Sequence, residues 1–204
     1  SPTSGAAPGS VQVTASTAGL AAGTYTGHVT ITAAGAQGSP KVVNVTLTVG
    51  SAAPSFLVGD QAIEPGADSN SMGMAEAFQT TAAATGTVSS MSVYLDTGST
   101  AGRVVIGLYT DGGVHPGTLL TQAVITAPRA AAWNTVTVPG ASVTAGTRYW
   151  TAILGTQSGV PRFRDRSGGC KSETSAQGTL TTLPSSWSTG SLYTDCPLSA
   201  YGTS

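Results

Sequence analysis

Charge is what this chain of 204 residues has least of: eight basic and nine acidic side chains, 8 % of the total, leave a net charge of −1. Soluble globular domains usually carry about 25 %. With the two signs cancelling, there is no basic footprint for nucleic acid or for an anionic membrane surface. Long apolar runs are missing too. Hydrophobic residues come in twos and threes, well short of the ~20 that span a bilayer, so membrane insertion is not expected. Lys, Glu, Gln and Leu, the helix formers, give way to 27 glycines and to Thr, Ser, Ala and Val, which favour strands and turns. The composition predicts an all-β chain.

Cysteine is almost absent as well: Cys170 and Cys196 are the two. Two thiols cannot build a structural zinc site without histidines nearby, and His28 and His115 lie far off in sequence. Nor do they form a C-x-x-C redox pair. A disulfide is expected, closing a loop of about 25 residues and restricting the unfolded chain by roughly 3 kcal/mol; the alternative is a pair of buried free thiols. The bridge implies a secreted or cell-surface protein. The chain opens inside a motif with no signal peptide before it, which predicts a piece of a longer polypeptide with further domains upstream.

Residues 1–50 contain a single charge, Lys41. Strands are expected at Val11–Val13, His28–Ile31 and Val43–Val49. In the last, Val43, Val45, Leu47 and Val49 fall on one face and Asn44, Thr46 and Thr48 on the other, the period of a half-buried antiparallel strand. Three or four strands make a thin core for 50 residues. Ser1-Pro2-Thr3-Ser4-Gly5, the turn from Gly19 to Gly27 (Gly-Leu-Ala-Ala-Gly-Thr-Tyr-Thr-Gly) and Val43–Val49 together resemble the second half of a BACON-type immunoglobulin-like domain. Such domains occur as repeated spacers in large exported bacterial proteins, many of them polysaccharide-degrading. The first strands of that fold are absent, so the resemblance implies either a cut there or completion by another chain.

Residues 51–55, Ser-Ala-Ala-Pro-Ser, read as a linker. Beyond Phe56 the strand–turn rhythm has β-sandwich spacing, with strands expected at 75–80, 87–96, 103–110, 118–126, 133–138, 147–155 and 160–165. Turns are marked by Asp111-Gly112-Gly113, His115-Pro116-Gly117, Pro139-Gly140 and Ala145-Gly146. Ala75-Glu76-Ala77-Phe78, Val105–Tyr109, His115–Leu120, Trp133–Val136, Ala145–Trp150, Phe163-Arg164-Asp165, Leu183–Ser188 and Pro197–Tyr201 resemble a family of uncharacterised β-sandwich domains appended to exported bacterial proteins. The resemblance implies a jelly-roll-type sandwich after a partial immunoglobulin-like module.

Enzyme signatures are also lacking. There is no Gly-x-Ser-x-Gly, no His-Glu-x-x-His and no phosphate loop opening a helix. Paired carboxylates for glycoside hydrolysis are the remaining catalytic option, and nine acids always permit some pair.

What is present is a biased distribution of charge. Asp60, Glu64, Asp68 and Glu76 fall in a stretch without Lys or Arg, with Asn70 among them. Carboxylates, Asn side chains and carbonyls are what a hard cation such as Ca²⁺ takes, so Asp60, Glu64, Asp68 and Asn70 are candidate ligands of a structural calcium; the alternative is a solvated loop. Arg162, Arg164 and Arg166 share a parity and would emerge on one strand face. There they would either recognise hydroxyls or carboxylates, or protect the strand from edge pairing.

The three tryptophans divide. Trp133 and Trp150 lie in strand patterns and are expected in the core. Trp187 sits among Pro184, Ser185, Ser186, Ser188, Thr189 and Gly190, a loop with no apolar neighbour. It is either a stacking platform for a sugar ring or a lid on the end of the core. A ligand site is expected here: Trp187 as platform, Arg164 and Asp165 as donor and acceptor, Tyr201 and Tyr193 as flanking walls.

The sequence thus points to a non-catalytic polysaccharide-binding module that tethers a larger exported enzyme to its substrate. A purely structural or adhesion spacer is the rival.

Overall fold

Alternation of apolar and polar residues governs most of this chain, and every regular element of the computed structural model, which describes residues 10–50 and 55–204, is a strand. Two compact units result, Ser1–Ala53 and Pro54–Ser204. The expected linker at 51–55 lies, Ser55 excepted, outside the described residues, as does the opening motif Ser1–Gly5.

The described part of the first unit is a hairpin. β1 (Gly23–Ile31) and β2 (Lys41–Val49) run antiparallel in unbroken register, from Gly23 opposite Val49 to Ile31 opposite Lys41. Val45, Leu47 and Val49 are half-buried while Thr46 and Thr48 are exposed, the alternation expected. The strand expected at Val11–Val13 does not form, and both valines are exposed. A strand needs a ladder partner for its N–H and C=O groups, and among the described residues none pairs with this segment.

The second unit holds eleven strands. These are β3 (Phe56–Gly59), β4 (Gly66–Ser69), β5 (Ala75–Thr81), β6 (Gly86–Leu95), β7 (Arg103–Asp111) and β8 (Pro116–Ile125), followed by β9 (Ala132–Val143), β10 (Arg148–Thr156), β11 (Arg162–Ser175), β12 (Thr189–Leu198) and β13 (Ala200–Thr203). All seven expected strands are present. β3, β4, β12, β13 and the second half of β11 were not expected.

All pairings are antiparallel. One group runs β3-β13-β6-β9; the other runs β8-β7-β10-β5-β11-β12. β11 belongs to both: Phe163 pairs with Leu95 of β6, whereas Ser172–Thr174 pair with Phe78–Glu76 of β5. The two groups enclose one core. Val58, Met91, Val93, Leu95 and Val138 come from one side, and Phe78, Val104, Ile106, Leu108 and Ile153 from the other.

A second apolar layer lies on the opposite face of β5, β7 and β10. Ala75, Ala77, Val105, Tyr109, Trp150, Ala152 and Leu154 are covered there by Leu180, Leu183 and Trp187 of the segment joining β11 to β12. Burial on both faces explains why Val104-Val105-Ile106 and Ala152-Ile153-Leu154 are continuous apolar runs rather than alternating ones. Burying Leu183 alone contributes about 1.5–3 kcal/mol.

Candidate functional site

The site begins where the core ends. Phe78 on β5 and Phe163 on β11 meet edge to face, with ring centroids 5.7 Å apart. Two residues further along the same strand faces stand Glu76 and Asp165, both acids and both buried. The core stops being apolar at this pair, and a cleft of about 450 Å³ opens there.

Four strands line the cleft. β4 brings Gly66 and Asp68, with Asn70 just beyond it, and β5 brings Glu76. β11 contributes Asp165, Ser167 and Thr174, while β12 contributes Tyr193 and Asp195. Register converges them: Asp165 lies opposite Gly66, Thr174 opposite Glu76 and Ser167 opposite Asp195.

β11 reaches both partners only because it bulges between Ser167 and Ser172. Gly168 takes a φ of 81° within that bulge, and a side chain on Gly169 would collide with the carbonyl oxygen of Cys196. The expected disulfide bridges this point: Cys170, in the bulge, is bonded to Cys196 on β12, with Cα atoms 5.1 Å apart. Cys196 follows Asp195 directly, so the bridge holds the β12 wall of the cleft against β11. Bridges of this kind form and persist in oxidising compartments. No helix among the described residues is long and apolar enough to cross a membrane.

The cleft is acidic. No lysine, arginine or histidine lines it, and Asp68, Glu76, Asp165 and Asp195 do. Burial pushes Glu76 up to about 7, with the charges of Asp68 and Asp165 adding to it, although the Asn70 amide donates a 2.7 Å hydrogen bond to its carboxylate. Burial, then the charges of Asp68 and Asp195, push Asp165 up to about 6.

The residues expected to form sites are thus sorted. Asp165, Tyr193, Asp68 and Asn70 meet in the cleft. Asp60 and Glu64, expected to share a calcium ion with Asp68 and Asn70, stand apart from it. Glu64 takes a two-pronged ion pair from Arg166, at 2.6 and 2.8 Å, and its backbone N–H donates to the Ser199 hydroxyl. Asp60 accepts from the Ala62 N–H at 2.8 Å. Among the described residues no three Asp, Glu, His or Cys side chains converge on a point where a metal ion could be held.

The three arginines do share one face of β11, and each is already engaged. Arg162 and Arg164 both reach Asp96, at 3.2 and 3.0 Å, and Arg164 also donates to the Pro65 carbonyl at 2.8 Å. Strand alternation turns Arg164 away from Asp165, so the two do not act on one ligand as a donor–acceptor pair.

Trp187 has the apolar support that its neighbours in sequence lack. It is half-buried, edge-on to Tyr109 at 5.4 Å, and packs on the second apolar layer. Backbone and side-chain bonds strap its segment down. Tyr109 Oη donates to the Pro184 carbonyl at 2.7 Å, Leu119 N–H to the Ser185 carbonyl at 3.1 Å, and Gln122 exchanges bonds with both backbone groups of Leu183. Trp187 is a lid over this layer and lies outside the cleft.

Tyr201 and Trp133 also differ from expectation. Trp133 is not in the core: it stands half-buried on the outer face of β9, edge-on to Tyr94 at 5.7 Å and to Tyr201 at 5.1 Å. Parity carries that signal, since Val136 and Val138 point inward and Trp133, Thr135 and Thr137 point outward. Trp150 is core as expected, its indole N–H donating to Asp111 at 2.8 Å.

Two members of the cleft, Asp195 and Gly66, carry no local signal in the sequence, and Glu76 stands in the acidic stretch without being among the candidate ligands. No family model, no curated protein and no solved structure matches this chain.

Proposed function

We propose that the second unit is a non-catalytic glycan-binding module, secreted or displayed at a cell surface, that tethers a larger exported enzyme to polysaccharide. The observation that carries this reading is the cleft. It is of the volume that small-ligand sites occupy. Its walls offer carboxylates, an amide and the hydroxyls of Ser69, Ser167 and Thr174 to ring hydroxyls, and the exposed Tyr193 offers an aromatic face to ring C–H groups. A disulfide holds two of its walls together before any ligand arrives, which saves the ordering cost of about 0.5–1.5 kcal/mol per side chain.

A spacer has no use for such a cleft. Burying Glu76 and Asp165 costs stability that apolar residues at the same positions would supply. Hydrolysis is also disfavoured. A glycosidase pushes its two carboxyl groups apart, one kept protonated and one ionised, whereas both acids here are raised. The resemblance of the first segment to BACON-type spacers supports attachment to an exported polysaccharide-degrading enzyme.

The test is retention of the purified chain on immobilised polysaccharides. Tyr193→Ala should lose retention on whichever matrix holds the wild type, while Trp187→Ala should keep it at a temperature where both are folded. Retention on none of a broad panel would return the unit to the spacer reading.

A further inference from the structure

Asp165 is the buried acid in the cleft that no other described residue uses. It is only 5 % exposed and lines the cleft, and among the described residues no other residue donates a hydrogen bond or ion pair to its carboxylate. The backbone opposite makes room for it: a Cβ on Gly66 would lie 2.6 Å from Asp165 Oδ1. The arginines on either side of it, Arg164 and Arg166, could have neutralised it but face away and are paired with Asp96 and Glu64. An acceptor placed, buried and left unpaired in this way is complementary to a donor from outside the chain.

That donor has a definable charge. Asp68, Glu76 and Asp195 join Asp165 around the cleft, and no basic side chain lines it. A neutral glycan replaces the water on these carboxylates with hydroxyl hydrogen bonds alone; a cationic one adds an opposite charge to them. The acids do not converge on a single point as a metal site requires. They are distributed along walls from four strands, which suits a ligand whose charges are themselves spaced out. Tyr193, Asn70, Ser167 and Thr174 supply the stacking face and hydroxyl partners that a bare polycation would not need.

We propose that the cleft binds a glycan of 2-amino sugars, with a ring ammonium group donating to Asp165 and its neighbours Asp68, Glu76 and Asp195. This rests on the glycan-binding reading above and adds the charge of the ligand to it.

The test is calorimetric titration of the intact chain with three probes of equal length: glucosamine oligomers, N-acetylglucosamine oligomers and β-linked glucose oligomers. Glucosamine oligomers should bind roughly tenfold or more tightly than the other two. Asp165→Asn should abolish that preference, and so should Asp195→Asn, which lies nearer the surface and guards against a folding defect at the buried site. Equal affinity for charged and neutral oligomers would overturn this inference while leaving the glycan-binding reading in place. Binding of none would overturn both. A rise in melting temperature with calcium chloride but not with glucosamine oligomers would overturn the inference in favour of a metal site. Oligolysine binding as tightly as glucosamine oligomers would overturn it in favour of a peptide ligand.

Discussion

Asp165 of β11 faces Gly66 of β4 across one antiparallel pair, and the missing side chain of Gly66 is what leaves space for the carboxylate. The relationship ties a backbone position to a site. Gly66→Ala should push Asp165 out of place or spread β4 from β11. Overpacking of this kind typically costs about 1–3 kcal/mol. Glycan retention should fall with it, whereas Gly178→Ala, where an added Cβ meets nothing, should change neither. Denaturant melts and retention of the two variants check this.

Stability should decline as pH rises through the neutral range. Glu76 goes from an ordinary value of 4.5 to about 7, and Asp165 from 3.8 to about 6. The folded state therefore holds protons that the unfolded state has released, and stability is lost as pH climbs from about 4 to 7. Glu64 and Asp96 work the other way. Their arginine partners, and for Asp96 foremost the Thr97 N–H, hold them below the ordinary range, so their contribution is lost in acid. Glu76→Gln should flatten the neutral-side decline and raise the melting temperature at pH 8, by a free energy on the order of 3 kcal/mol. A melting temperature that is level between pH 5 and pH 8 in the wild type would contradict the burial of these acids.

Trp187 should matter for stability and not for binding. It covers the second apolar layer beside Tyr109 and Leu183, so Trp187→Ala should cost about 2–4 kcal/mol, somewhat less than for a fully buried tryptophan. Thermal melts report the first half; retention well below the melting temperature reports the second.

Much of this architecture was readable from periodicity. Strands with one inward face, such as Met91, Val93 and Leu95, announce themselves by alternation and those buried on both faces by apolar runs, and all seven expected in the second unit are present. β4 (Gly66–Ser69) and the second half of β11 do not, because their residues line a polar cleft and give no apolar face to alternate. The cleft was legible only in parts. Asp165, Tyr193, Asp68 and Asn70 were candidates, but for two different sites, because nothing local shows that β4 pairs with β11. Trp187 misled for the same reason: its polar neighbours are adjacent in sequence, while its apolar ones, Tyr109 and Leu183, arrive by long-range pairing and by the turn of the strap. Trp133 was the opposite case. The inward parity of Val136 and Val138 places it outside, against the general tendency of tryptophan to be buried.

The most direct measurement is a ¹H–¹⁵N NMR titration of the intact chain with a short soluble oligomer of the polysaccharide that retains it. Binding in the cleft predicts that the largest shift changes gather on Asp68, Asn70, Asp165, Ser167, Tyr193 and Asp195, drawn from β4, β11 and β12 and the turn after β4, with Trp187 and its strap undisturbed. Changes centred instead on Tyr94, Trp133 and Tyr201, on the outer face of β6, β9 and β13, would contradict the account and move the site to that aromatic surface.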